Sequence, residues 1–98
     1  MRMMMKITIP VEAGNRAIKE GVLPKTVSGF VETMKPETVF FTAQNGQRTG
    51  FFVFDLSDPT MIPSIAEPFF TNLNCEIELA PAMNLVELKT GIEKAMKR

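Results

Sequence analysis

The sequence predicts a single α+β domain in which helices cover one face of a four-stranded antiparallel sheet. Three observations predict this class. Several short segments alternate apolar and polar residues, which is typical of half-buried strands. Other segments repeat apolar residues at three- and four-residue steps, which is typical of amphipathic helices. The dipeptide Asn45-Gly46 joins two of the strand segments and is a strong signal for a tight hairpin. The length of 98 residues fits one domain spanning 1–98.

The first third of the chain predicts a strand followed by two helical pieces. Residues 3–9 alternate, so that Met5, Ile7 and Ile9 share one face, and a proline then ends the strand. The next segment carries a short apolar stripe before Gly21 and a second one before residue 36. We expect Pro24 to be the first residue of the second helix, since proline is well tolerated there.

The middle of the chain predicts a hairpin of two strands around residues 45–46. With a two-residue loop, Phe40 pairs with Phe51 and Thr42 pairs with Thr49. These pairs share one face of the sheet. The other face carries the remaining aromatic residues, which we expect to point into the core. That face consists of Val39, Phe41, Phe52, Phe54 and Leu56.

The last third predicts a helix, a strand and a second helix. Asp58 is a suitable cap for the first helix, and two prolines at positions 63 and 68 predict that this helix is short, kinked or partly irregular. Residues 75–81 alternate as a strand with its glutamates outward. The final helix begins at Asn84, with Glu87 in the capping-box position, and we expect its apolar stripe to dock on the body of the protein.

The order of elements is therefore β-α-β-β-α-β with an added C-terminal helix. This order predicts a ferredoxin-like βαββαβ plait with strand order 4-1-3-2 and the crossover helices on one face. A glycine and aromatic run on a central strand is also found in RNA-binding plaits. Here Phe52 and Val53 occupy positions at which that motif needs a small residue and an aromatic, so we expect no nucleic acid partner.

Composition excludes several classes of function. Eleven basic and eleven acidic residues give a formal net charge of zero, which disfavours nucleic acid and anionic membranes as partners. The chain has no histidine and a single cysteine, Cys75, so Ser-His pairs, Cys-His pairs and the usual zinc sites are excluded. We expect no cofactor and no metal. The lone cysteine and the lack of a long apolar run favour a cytoplasmic location.

The outer face of the sheet is the first candidate site. Its centre is too apolar for a solvent-facing surface, and such exposed patches usually mark a partner surface. We expect a second copy of the same chain to pair there, sheet against sheet. A small molecule is the other candidate occupant, with apolar walls and polar groups that orient it. The expected ligand-binding residues on this face are Phe40, Thr42, Gln44, Phe51 and Val53.

Three segments resemble a known superfamily. The segments "PVEAGNRAI", "NGQRTGFFVFDL" and "IPSIAEPFF" are similar to an uncharacterised branch of small bacterial proteins in the dimeric α+β barrel superfamily. The resemblance implies a homodimer. The superfamily includes cofactor-independent monooxygenases, small-ring isomerases and haem-handling enzymes, but fold analogy does not choose among them. The lack of histidine and tryptophan argues against the haem-handling and monooxygenase activities.

Charged residues supply the remaining candidates. Asp55, Lys6 and Glu76, with Glu78, are weak candidates for a catalytic acid/base cluster, since the first strand lies between the third and fourth. The simpler alternative is an ion pair between Lys6 and a glutamate on the neighbouring strand.

A second polar pair follows the first strand. Asn15 and Arg16 are candidates for the mouth of a pocket that takes an anionic ligand, because an arginine suits an anionic group. The alternative is that Arg16 pairs with Glu12 or Glu20 on its own helix. We expect Arg48, beside the hairpin tip, to be a solvated charge.

Two functions follow from the sequence. The first is a homodimeric barrel that binds a small, partly apolar molecule between sheet and helices. The second is a non-enzymatic dimerisation or interaction module without a ligand pocket. A cavity of a few hundred Å³ would distinguish them, because a filled interface leaves no such space. Whether the protein is an enzyme stays open at this point.

Overall fold

The computed structural model describes residues 1–97 and consists of an open antiparallel sheet with four helices in that range. The strands are β1 (Arg2–Ile9), β2 (Thr38–Gln44), β3 (Gln47–Asp55) and β4 (Glu76–Pro81). The helices are α1 (Val11–Lys19), α2 (Val22–Met34), α3 (Ile62–Leu73) and α4 (Leu85–Met96). A 3-10 turn, Pro59–Met61, precedes α3. The predicted α+β class is confirmed.

The sheet has the predicted topology. Its strand order is β2-β3-β1-β4, which is the predicted order 4-1-3-2 counted from the other edge. Phe40 pairs with Phe51, Thr42 with Thr49, and the hairpin turn lies at Asn45-Gly46. Both turn residues have positive φ, 54° and 76°, as a type I′ turn requires. The architecture is compatible with a ferredoxin-like fold.

The core lies on one face of the sheet, between the strands and helices α1 to α3. The ring of Phe30 in α2 is its centre: its centroid lies 4.9 Å from that of Phe52, 5.3 Å from Phe54 and 5.7 Å from Phe69, all at steep interplanar angles. Such edge-to-face pairs add to the free energy of burial itself. The aromatic residues of β3 on this face therefore serve the core, as predicted, and β1 adds Met3, Met5, Ile7 and Ile9. Phe41 differs from the prediction: it lies on the edge strand β2, where its ring contacts Phe52 but stays 58% exposed.

Two helix details differ from the prediction. Helix α2 begins at Val22, two residues before Pro24, because Gly21 adopts a left-handed conformation with φ 75° that turns the chain into the helix. Pro24 still falls in the first turn, where its missing N–H has no intrahelical partner to lose. Helix α3 is continuous over twelve residues with Pro68 inside it, so the expected irregularity is confined to the preceding 3-10 turn.

The largest difference concerns α4. None of its residues is buried, so it does not dock on the body of its own chain as expected. The molecule measures 55 × 28 × 18 Å, with a radius of gyration of 15.7 Å. A compact domain of about 100 residues has a radius of gyration near 13 Å. Helix α4 is therefore an extension from the domain rather than a part of its core.

Candidate functional site

The outer face of the sheet is uncovered, because helices α1 to α3 all pack on the other side. Its apolar patch is Met4, Phe40, Phe51 and Val53. Phe40 is 67% exposed and Met4 is 49% exposed, whereas Phe51 and Val53 are half-buried by their neighbours. The Lys6 ammonium lies 6.0 Å from the centroid of the Phe51 ring. This face has the exposed apolar character that the sequence predicts.

The charged residues of this face do not form one cluster. Lys6 lies opposite Glu78 on the neighbouring strand, with Nζ and Oε2 3.8 Å apart, whereas Glu76 lies opposite Thr8. Lys6 also pairs with Phe51, so Asp55, four positions further along β3, lies roughly 13 Å away. The carboxylate of Asp55 instead accepts a hydrogen bond of 2.8 Å from the amino group of Met1.

This geometry favours the simpler interpretation of Lys6, an ion pair with one glutamate. Within residues 1–97, no group of three or more acidic or cysteine side chains is placed to hold a metal ion. The assignment of Asp55, Lys6 and Glu76 as catalytic residues stays a prediction, but they do not share one site.

A small cavity lies beside the hairpin, between the sheet and helices α1 and α2. It has a volume of about 220 Å³ and is lined mainly by apolar side chains, with Arg48 as its charged residue. Of the predicted ligand-binding residues, Thr42 lines this cavity. Its volume is below the 300 to 1,000 Å³ typical of small-molecule pockets.

Arg48 is held in place rather than solvated. Its Nη2 donates a 3.0 Å hydrogen bond to Oδ1 of Asn15, and its Nη1 donates to the carbonyl oxygen of Val11. Gly14 makes this possible, because a β-carbon at that position would collide with the guanidinium. Asn15 therefore positions Arg48, whereas Arg16 is exposed and forms no ion pair with any residue the structure describes.

The main cavity is a groove between α2 and α3. Its volume of about 510 Å³ lies within the range of sites that hold small molecules. Its floor is formed by Phe30, Ile65 and Phe69, which belong to or adjoin the core. Its remaining lining residues are Val22, Lys25, Thr26, Gly29, Thr33, Met34, Met61, Ser64, Pro68 and Asn72.

A polar pair lies at one side of this groove. The side chain of Asn72 in α3 donates a 3.2 Å hydrogen bond to the hydroxyl oxygen of Thr26 in α2. The Thr26 hydroxyl donates in turn to the carbonyl oxygen of Val22, at 2.8 Å. An amide nitrogen has two hydrogens, so Asn72 retains a second donor for a ligand. The exposed Lys25 adds a positive charge at the rim.

Two residues with unusual backbone properties open the groove. Gly29 lies within α2, and a β-carbon there would have no heavy atom within 4 Å. Pro68 lies within α3 and has no N–H to donate to the carbonyl oxygen of Ser64, one turn earlier. Residues of both types are unfavourable inside helices. Here Gly29 leaves space along the groove, and Pro68 leaves the carbonyl oxygen of Ser64 without its intrahelical donor on the same groove.

The sequence did not predict this groove. None of the predicted site residues lines it, and neither described cavity is lined by Phe40, Phe51 or Val53. A signal was present in the sequence: Gly29 and Pro68 each interrupt a helical pattern without ending the helix. Whether they face each other depends on how α2 and α3 pack, which periodicity does not determine.

Cys75 has no place in either cavity. It is buried immediately before β4, and this burial raises the pKa of its thiol to about 12. A thiol with such a pKa is almost entirely protonated at neutral pH and is a poor nucleophile. Its predicted role in core packing therefore agrees with its position.

No family model matches the chain, and no curated protein shows significant similarity to it. Among residues 1–97, no helix combines the length and apolar character needed to span a membrane.

Proposed function

We propose that the protein is a homodimer that binds a small, partly apolar molecule in the groove between α2 and α3. The observation that carries the ligand proposal is the groove itself, with its volume of about 510 Å³, its aromatic floor and its Thr26–Asn72 pair. Sites for small molecules are typically apolar cavities with a few placed polar groups. The groove has both properties.

The chemistry of the groove defines the class of ligand. Phe30, Ile65 and Phe69 favour an apolar body, since burying apolar surface contributes about 25 cal/mol per Å². The free donor of Asn72 favours an acceptor on the ligand, and the ammonium of Lys25 favours a carboxylate. We therefore propose an amphipathic molecule with an apolar body and one anionic or hydrogen-bonding end. No reaction is assigned to it.

The dimer part of the proposal rests on the outer face of the sheet. Met4, Phe40, Phe51 and Val53 form an uncovered apolar patch, and pairing with a second copy would remove it from water. Such pairing corresponds to the dimeric α+β barrel that the sequence resembles. Replacing Phe51 with Lys should increase the monomer fraction in sedimentation velocity, whereas replacing the exposed Glu32 with Lys should not. An unchanged profile for the Phe51 variant would argue against sheet-to-sheet pairing.

Filling the groove tests the ligand proposal. A leucine at position 29 has room for its β-carbon and occupies the space between α2 and α3. The matched control is Ser28→Leu, which places the same side chain next to it on α2, at an exposed position that does not line the groove. We expect an anionic fluorescent probe with an apolar body, such as an anilinonaphthalene sulfonate, to bind the unmodified protein.

Gly29→Leu should weaken probe binding by about tenfold or more, whereas Ser28→Leu should leave it unchanged. The absence of tryptophan and tyrosine gives the assay a low fluorescence background. Equal binding by the two variants would show that the probe does not use the groove and would contradict the proposal.

The alternative is an interaction module without a ligand. One observation favours it: Phe40, Phe51 and Val53 line neither cavity, so the outer face offers contact area rather than a pocket. Under this alternative the unmodified protein does not bind the probe, while Phe51→Lys still disrupts the dimer. The two measurements together therefore separate the two functions.

A further inference from the structure

Helix α4 carries an apolar stripe that nothing in its own chain covers. Leu85, Leu88, Ile92 and Met96 follow one another at three- and four-residue steps and so lie on one side of the helix. Their exposed fractions are 66%, 42%, 52% and 79%. A stripe of this kind normally faces a core. In α4 no side of the helix is buried, and its contact with the domain is made by Glu87, on a different side of the first turn from the stripe.

Two contacts with β1 fix the start of α4, one made by its first turn and one by the segment that leads into it. Nη1 of Arg2 donates a 2.7 Å hydrogen bond to Oε1 of Glu87, and the backbone N–H of Ala82 donates to the carbonyl oxygen of Arg2. Successive residues of a helix are rotated by about 100°, so Leu88 lies about 100° and Ile92 about 140° from Glu87. With Glu87 turned toward the sheet, the stripe turns away from it.

An isolated helix of this length is not stable on its own. Helices shorter than about 12 to 15 residues are marginal in water, and most helical stability in proteins comes from packing of the apolar face. Helix α4 has twelve residues, a complete capping box and no buried side chain. We therefore infer that the apolar stripe of α4 packs on a surface outside its own chain.

The area of the molecule points to a second copy as that partner. Four strands spaced about 4.8 Å apart and roughly 25 Å long give the outer sheet face a footprint of roughly 500 Å². Helix α4 adds a strip of roughly 18 Å by 10 Å, which is about a third more. Stable dimers bury roughly 600 to 1,000 Å² of accessible surface on each partner. Sheet and arm together reach this range and form one continuous interface.

Charge is compatible with this partner. The chain has no net charge, so two copies do not repel each other. Helix α4 and the residue after it carry Lys89, Lys94 and Lys97 against Glu93, since Glu87 is engaged by Arg2. The outer face of the sheet carries the exposed Glu76 and Glu78 along its β4 edge, and since Lys6 pairs with Glu78, Glu76 supplies the net negative charge there. The arm and the edge therefore have opposite charge.

We propose that α4 is an exchanged arm: its apolar stripe packs on the rim of the outer sheet face of a second copy, whose own α4 packs on the first. The inference rests on the proposed sheet-to-sheet dimer and adds residues from outside that face to it. In a twofold dimer each contact is made twice, so the arm contributes two equivalent helix docking sites.

The test compares three variants of the full chain by sedimentation equilibrium. The first is Leu88→Lys with Ile92→Lys, which disrupts the stripe with a residue of good helix propensity. The matched control is Thr90→Lys, on the opposite side of the same helix. The third is Phe51→Lys, in the sheet face. Hydrogen exchange of α4 amides at low and high protein concentration provides a second measurement.

We expect the stripe variant to raise the dissociation constant of the dimer by about 100-fold or more, since it removes apolar contacts at two sites. Thr90→Lys should leave the dissociation constant within about threefold of the unmodified value. Protection of α4 amides should rise with protein concentration, because the helix packs only in the dimer.

The possible results separate the arm from the sheet pairing. A dimer weakened by Phe51→Lys but not by the stripe variant overturns the arm and leaves the sheet pairing standing. A dimer weakened by the stripe variant but not by Phe51→Lys overturns the sheet pairing and the docking site of the arm. Unmodified protein that stays monomeric overturns both, as does monomeric protein whose α4 is protected only by phosphatidylserine vesicles.

Discussion

Glycine-to-alanine substitutions in two helices test whether each helix is packed on the core of its own chain. Gly29 lies in α2, which packs on the core, and Gly91 lies in α4, which does not. A β-carbon at either position would have no heavy atom within 4 Å, so alanine fits both without strain. Alanine is more favourable than glycine inside a helix by about 0.8 to 1 kcal/mol.

The same substitution should therefore have different effects on global unfolding. Gly29→Ala should raise the free energy of unfolding by about 0.8 to 1 kcal/mol, or several degrees in melting temperature for a domain of this size. Gly91→Ala should have this effect only at protein concentrations at which α4 is packed on a second copy. At low concentration α4 unfolds independently of the domain, so a gain in its helicity does not stabilise the core.

Urea unfolding followed by far-ultraviolet circular dichroism, at about 1 μM and 100 μM protein, measures both effects. Destabilisation by Gly29→Ala would refute the open groove at that position. Equal stabilisation by Gly91→Ala at both concentrations, in protein shown to be monomeric at the lower one, would show that α4 is coupled to its own domain and would refute the exposed arm.

Further predictions concern pH and thiol chemistry. The backbone N–H of Asn84, and then Arg2, lower the pKa of Glu87 from its ordinary value of 4.5. A carboxyl group with a lowered pKa in the folded state stabilises that state above its unfolded pKa, and this stabilisation is lost as the pH falls through the folded pKa. The helicity of α4 should therefore decrease below about pH 4.5, and Glu87→Gln should flatten that dependence; a steep pH profile in the variant would assign the effect to another group. Cys75 should react with a thiol reagent only as fast as the protein unfolds, because burial raises the pKa of its thiol to about 12. If at least half of the protein molecules are labelled at Cys75 before they unfold, the thiol is not buried.

Local patterns predicted most of the fold. The alternation of residues in β1 and β3, together with Asn45-Gly46, determines both the register of the hairpin and which aromatic residues of β3 enter the core. These features depend on neighbours in sequence or on one tight turn. The position of Pro24 was predicted less well, because the start of α2 depends on the left-handed Gly21 rather than on the proline.

The candidate site was harder to predict, because it depends on distances between elements. Strand order correctly placed β1 between β3 and β4, but the register puts Lys6 opposite Phe51 and Glu78, and so leaves Asp55 at the far end of β3. The groove depends on the separation of α2 and α3, which no sequence period encodes. The stripe of α4 predicted that this helix packs on a surface, but not that its own chain leaves the stripe uncovered.

Native mass spectrometry of the full chain, purified without added ligand, tests the proposed dimer and its ligand in one experiment. We expect a dimer that carries a reproducible extra mass of a few hundred daltons on each protomer, and we expect Gly29→Leu, but not Ser28→Leu, to remove that mass. A monomer without extra mass at micromolar concentration would contradict both proposals. A dimer whose extra mass persists in Gly29→Leu would place the ligand outside the groove.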